Sequence, residues 1–188
     1  MPDDGNQKTQ QPVGRRSRLR ALVDDHIDFV ARSLRNLGVP EADIDDAVQR
    51  TFLVAARRFD EIRPGAEKAF LFRTAVHDAA HVRRTLARRR EVPEALAGEQ
   101  SHLVATPEQL ANRHHARETV DRILGEMDLD LRSVFVLYEI EEMTMAEIAS
   151  TFSIPTGTVA SRLRRAREDF RKRVRRLSPS APRSEDDD

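Results

Sequence analysis

Between residues 156 and 176 the chain carries nine basic and two acidic side chains, a net charge of +7. Thr158, Ala160, Ser161, Arg164 and Arg165 stand near the start of this block. An arginine can hold guanine through two parallel hydrogen bonds in a major groove, and a serine can bond base or phosphate. The block therefore has the makings of a DNA-reading segment, against the plainer reading of a solvated basic face. A second block, residues 63–90, has eight basic and two acidic side chains, a net of +6. Within it His77 and His81 are spaced i, i+4, which some metal sites use. No Glu follows His77, the chain has no cysteine, and no third ligand is apparent. No metal is expected, and the pair reads as a nucleic-acid contact or a plain surface pair. Phe70 and Phe72 could stack on unpaired bases or pack in a core. Asp45-Asp46 and Glu141-Glu142 are paired carboxylates with no nucleophile or glycine-rich loop beside them. Neither a P-loop nor a G-x-G-x-x-G run occurs, so no catalytic residue, no enzyme activity and no cofactor is expected.

Helical periodicity supplies the elements that would hold these groups. Leu19, Leu22, Val23, Ile27, Val30, Leu34 and Leu37 recur at helical spacing, and Gly38 and Pro40 then stop the run. A second helix from about Glu41 carries Ile44, Ala47, Val48, Thr51, Phe52 and Ala55 on one stripe. A third carries Leu71, Ala75, Ala79, Val82 and Leu86 and runs into Arg88–Arg90. Three helices with short connections read as a small bundle. Further on, Val120, Ile123, Leu124 and Met127 mark one helix. Leu131, Val134, Phe135, Leu137 and Tyr138 mark another, with Asp128 or Asp130 as N-cap. Thr144 and Glu147 have the spacing of a capping box and open a short helix. The last helix opens near Pro155, with the stripe Val159, Leu163, Ala166, Phe170, Val174 and Leu177. A short capped helix, a tight turn and a long basic helix are the parts of a helix-turn-helix. Ile148, Phe152, Ile154 and Val159 would make its apolar contacts, with small Ala149 where the helices meet.

The expected fold is all-α: a three-helix bundle and a helix-turn-helix bundle joined by a flexible linker. The boundaries read as 1–14 a disordered N-terminus, 15–90 the first bundle, 91–112 the linker, 113–177 the second bundle and 178–188 an acidic disordered tail. The linker can span at most about 70 Å. Composition agrees with this picture. Of 188 residues, 34% are charged and 5% aromatic, with no Trp and one Tyr. The balance favours small helical units with modest cores over a large sheet. The absence of cysteine excludes disulfides and fits a reducing compartment. The longest apolar run is five residues, as at Val134–Tyr138, far short of a membrane span. Met1–Gly14 has no apolar stretch of a signal peptide. A cytoplasmic location is expected. The formal charge of zero conceals two basic blocks separated by acidic stretches, a pattern suited to two contacts with a polyanion.

Met127–Leu137, Glu147-Ile148-Ala149 and Gly157–Arg167 together resemble the fourth region of sigma-70 factors, and in particular the extracytoplasmic function (ECF) group of bacterial RNA polymerase sigma factors. Asp46, Gln49 and Phe52 resemble the D-x-x-Q-x-x-F signature of that family's second region. Phe70–Ala75 followed by Arg83-Arg84 resembles its melting and promoter-reading segment. The resemblance covers residues 19–90 and 113–177.

What it implies is a transcription initiation factor whose partners are RNA polymerase core and promoter DNA, with an anti-sigma factor as a further partner. Asp46, Gln49, Phe52 and Leu53 would bind the polymerase. Phe70, Phe72, Arg73, His77, His81, Arg83 and Arg84 would melt and read the minus-ten element. Thr158, Ala160, Ser161, Arg162, Arg164, Arg165 and Arg167 would read the minus-thirty-five element. The chain departs from the family where His77 and His81 replace Asn and Asp, where Ala56 replaces a Trp, and where Ser153 replaces a turn Gly. Ala160 replaces a frequently basic residue. A free-standing helix-turn-helix regulator is the alternative, but the D-x-x-Q-x-x-F helix has no purpose in it. A purely protein-binding decoy is a third possibility, opposed by the +7 block.

Overall fold

The computed structural model of the chain describes residues 11–90, 117 and 119–177. The expected linker at 91–112, the acidic tail at 178–188 and the first ten residues lie outside the described residues. The described helices belong to two compact units.

The first unit holds α1 (Gln11–Asn36), α2 (Ile44–Arg57) and α3 (Glu67–Arg90). Its core is Leu22, Phe29, Val30 and Leu34 of α1, Ile44, Ala47 and Ala55 of α2, and Leu71, Phe72, Ala75 and Ala79 of α3. Gly38, at φ +85°, closes α1, and the Val39 amide returns to the Leu34 carbonyl at 3.0 Å. This is the left-handed stop that glycine makes without a Cβ clash. Single 3₁₀ turns at Glu41–Asp43 and Phe59–Glu61 lead into and out of α2, so α2 proper begins three residues later than its acidic start suggests.

Two expectations for α1 need correction. Helix begins at Gln11, inside the segment expected to be disordered. Tertiary contacts hold its first turns: Arg15 donates to the Ala56 carbonyl at 3.0 Å, and the Arg18 guanidinium lies 4.9 Å over the Phe59 ring. In addition, Ile27 is 43% exposed while Phe29 is buried. Phe29 meets Phe72 with ring centroids 6.4 Å apart, and this large contact sets the rotation of the helix.

The second unit comprises α4 (residues 119–126), α5 (Leu129–Phe135), α6 (Met145–Phe152) and α7 (Thr156–Leu177). α5 continues through a widened turn at Val136–Ile140. Asp128 caps α5, accepting from the Asp130 amide at 2.9 Å. Ile123, Leu124, Met127, Val134, Val136 and Leu137 are buried. Both α5 and α6 pack on α7, where Val159, Leu163 and Ala166 face inward. Phe170 closes that stripe by stacking on Phe135 at 4.9 Å. The expected continuation through Val174 and Leu177 does not hold, since both stay exposed.

Candidate nucleic-acid and polymerase interfaces

α6 and α7 form the expected helix-turn-helix. Thr144 Oγ1 accepts from the Glu147 amide at 3.3 Å, while Glu147 Oε2 accepts from the Thr144 amide at 2.8 Å. Two otherwise unbonded amides of the first turn are thus satisfied. α6 ends at Ser153, with φ 55° and ψ 44°, the left-handed conformation that the missing glycine would take more easily. Pro155 precedes the first turn of α7, which needs no amide donor there. Ile148 and Val159 are fully buried between the two helices, with Ala149 beside them.

The front of α7 sorts its basic side chains into two kinds. Arg162 pairs with Asp130 at 3.0 Å. Arg167 donates to Glu139 at 2.6 Å and lies 5.2 Å over the Tyr138 ring. The Glu139 hydrogen bond raises the Arg167 guanidinium above its ordinary pKa. These two arginines brace α7 against α5 and the turn that follows it. Ala160, Arg164 and Arg165 are exposed, and the Arg164 side chain keeps 74% of its surface, with Glu168 at 4.0 Å. Ser161 is half-buried and donates to the Thr158 carbonyl at 2.9 Å. Its hydroxyl can still accept from a partner. Thr158 is likewise half-buried.

In the first unit, Arg73, His77, His81 and Arg84 are exposed and follow one another at steps of four, four and three along α3. That spacing puts them on one face. With Arg50, Thr51, Val54 and Arg58 of α2 and its end, the row from Arg73 to His81 lines a groove of about 460 Å³. Asp78, inside this groove, is held by both arms of Arg50, at 2.9 and 3.0 Å. That hydrogen-bonded carboxylate, with Asp46 and Asp43 nearby, raises the Arg50 guanidinium. Arg58 binds Glu61 and holds its carboxyl below the usual glutamate range. Arg83 is half-buried.

Phe72 requires a correction. It is fully buried, packed on Phe29, and cannot stack on a base. Phe70 is 7% exposed at the groove wall, where Arg58 and Arg73 stand 5.7 and 5.9 Å from its ring centre. The adjacent apolar run Ala69–Phe72 wraps most of a helical turn, so part of it had to face inward. Among the described residues no group of three or more His, Asp or Glu is arranged to hold a metal.

On α2, Asp46, Gln49 and Leu53 are exposed and Phe52 is half-buried. Leu53 leaves 49% of its surface open. Steps of three and four put Asp46, Gln49 and Leu53 in one row. The inward positions are Ile44, Ala47, Thr51 and Ala55. Phe52 is therefore beside the core rather than within it. Sequence reasoning missed the Arg50–Asp78 pair. Its partners are 28 residues apart, and only the packing of α2 on α3 brings them together.

Residues 22–89 match the family model described as Sigma-70 region 2, and residues 117–170 match Sigma-70, region 4. The ECF RNA polymerase sigma-E factor of Escherichia coli is 32% identical over 154 residues, covering 77% of this chain and 81% of that protein. The chain belongs to the extracytoplasmic function group of RNA polymerase sigma factors. This sigma factor is also 30% identical over 180 residues to RNA polymerase sigma factor CnrH of Cupriavidus metallidurans, covering 88% and 92% of the two chains. A solved structure of CnrH in complex with the cytosolic domain of CnrY superposes with a TM-score of 0.62 at 27% identity, covering 87% of this chain and 89% of that one. The sigma factor RpoE of Bartonella quintana, solved in complex with the anti-sigma factor NepR, shares the fold at 18% identity and the same TM-score, with 83% and 96% covered. As a sigma factor the chain directs RNA polymerase core to promoters and supports initiation of DNA-templated transcription. No observation favours the free-standing regulator. Among the described residues no helix is long and apolar enough to cross a membrane.

Proposed function

We propose that the two units divide the work of promoter recognition. In the first, Asp46, Gln49 and Leu53 form the polymerase-binding row, with Phe52 supporting it from its half-buried position. The α3 row of Arg73, His77, His81 and Arg84 meets the minus-ten element, and Arg50 keeps the Asp78 carboxylate from opposing it. Phe70 serves this face as the apolar wall of the groove, and Arg83 supports it from its half-buried place. In the second, α7 enters the major groove at the minus-thirty-five element. Arg164 and Arg165 are its principal readers, Ala160 and Ser161 sit where the groove floor would come close, and Thr158 stands at its start. Arg162 and Arg167 hold the helix at its angle.

The observation that carries this reading is the exposure of Ala160, Arg164 and Arg165 on a helix whose neighbouring arginines are engaged in bracing. The protein itself catalyses nothing in this reading; bond formation belongs to the polymerase. It acts in the cytoplasm, and an anti-sigma protein is a further partner, as NepR is for the relative solved with it. The test is run-off transcription by holoenzymes carrying Arg164→Ala or Arg165→Ala on promoters with a randomised minus-thirty-five element. A base-reading arginine should lose about 1–3 kcal/mol and relax one base pair. A phosphate-binding one should weaken all promoters alike and lower the salt slope by about one unit. If neither change alters strength or preference, α7 is not the reader.

A further inference from the structure

Beyond its first half, α7 carries Arg171, Lys172, Arg175 and Arg176, all exposed. A groove of about 220 Å³ runs beside it. Met145, Leu163, Arg164 and Arg171 are among the residues that line it. Glu168 faces the same groove, and Arg167 within it is engaged by Glu139. The remaining positive charge thus lies at Arg164, which keeps a long 4.0 Å contact with Glu168, and at Arg171. They stand seven positions apart on the helix, about 10 Å.

The chain itself contains a segment of matching charge and size. Residues 185–188 are Glu-Asp-Asp-Asp, and four extended residues span roughly 10–14 Å. They lie outside the described residues. Glu185 follows Leu177 by eight positions, a reach of at most about 26–29 Å. Arg171 lies about 9 Å and Arg164 about 20 Å back along the helix from Leu177. Pro179 has no amide to extend α7, and Arg183 is the one charge between Leu177 and Glu185.

We propose that Glu185–Asp188 docks on the α7 face between Arg164 and Arg171 and competes there with promoter DNA. The competition rests on the reading of α7 as the minus-thirty-five helix; the docking does not. Each exposed ion pair favours the docked form by a factor of about 1.4–5. Tethering sets an effective concentration near the millimolar range for short connections. The docked tail screens the +7 helix from stray phosphates and yields to a promoter held by the polymerase.

The chain has no cysteine, so Ser184→Cys carries a single spin label on the full-length protein. Docking is expected to broaden the amide resonances of residues 160–165. The broadening should fade when Glu185 becomes Gln and Asp186, Asp187 and Asp188 become Asn, and also in 0.5 M salt, where screening is short-ranged. Equal broadening in the neutralised variant, or none at 160–165, overturns the proposal. In parallel, the neutralised full-length protein should bind a random-sequence DNA duplex about three- to tenfold more tightly at 50 mM salt. Arg171→Ala, outside the proposed reading residues, should shrink that gain. A gain in DNA affinity without the resonance effect means simple repulsion by the tail and overturns docking. A resonance effect without any gain keeps the docking but overturns the competition, and the α7 reading is then judged by the run-off assay alone.

Discussion

Leu53→Ala offers a sharp test of the polymerase-binding row. Leu53 leaves 49% of its surface open on α2, beside exposed Asp46 and Gln49. Full burial of a leucine side chain is worth about 1.5–3 kcal/mol. Covering the open half against a partner is then worth about 0.7–1.5 kcal/mol, or roughly a three- to twelvefold change in Kd. Truncation leaves the Cβ, so the expected loss is about three- to tenfold. The same change removes a similar part of the packing within the bundle, about 0.5–1 kcal/mol. That is too little to unfold a domain with typical stability of about 5–15 kcal/mol. The assay is a fluorescence anisotropy titration of labelled protein with RNA polymerase core, with urea denaturation of each variant alongside. Leu53→Met, which conserves volume, should stay within about twofold of the parent. An affinity for core unchanged by Leu53→Ala and by the combined Asp46→Ala and Gln49→Ala variant would refute the row.

Ser153→Gly should stabilise the helix-turn-helix unit by about 0.5–1 kcal/mol, because relief of the left-handed strain outweighs the entropy of glycine; a lower urea midpoint contradicts it. Leu163→Ala, at a position 1% exposed, should cost about 2–5 kcal/mol and abolish minus-thirty-five recognition while pull-down by polymerase core survives; loss of both together would count against the division of labour. The Glu61 carboxyl should titrate below the usual glutamate range by carbon NMR and return to it in Arg58→Ala, because the Arg58 hydrogen bond lowers it. Any stability from that pair is present above the ordinary glutamate pKa and lost as pH falls through the lowered value. With both groups exposed the effect on folding is slight.

Locally encoded features were legible in the sequence. Thr144 and Glu147 announce the start of α6 because a capping box needs only residues three apart. Asp128 or Asp130 marks the start of α5 by the same local logic, and the structure selects Asp128, whose carboxylate accepts from the Asp130 amide. Val159, Leu163 and Ala166 reveal the inner face of α7 because α5 and α6 cover that stretch. Val174 and Leu177 continue the same spacing without cover, so periodicity alone overstates the core. Features that depend on packing were not legible. The start of α1 at Gln11 relies on the Ala56 carbonyl, 41 residues from Arg15. Phe70 and Phe72 both lie in an apolar run, and only the position of Phe29 decides that Phe72 is interior. Arg162 and Arg167 look like Arg164 and Arg165 in the sequence. Asp130 and Glu139, brought against them from α5 and the turn after it, engage the first two and leave the others open. The arginines of α7 were therefore legible as a basic set, while their division into the paired Arg162 and Arg167 and the exposed Arg164 and Arg165 was not.

The most direct test of the central claim is reconstituted run-off transcription on genomic fragments with purified polymerase core, with and without this protein. Discrete, promoter-dependent transcripts are expected only when both are present, together with weak binding of duplex promoter DNA by the protein alone at physiological salt. No transcript from any fragment, together with tight sequence-specific duplex binding by the free protein, would contradict it.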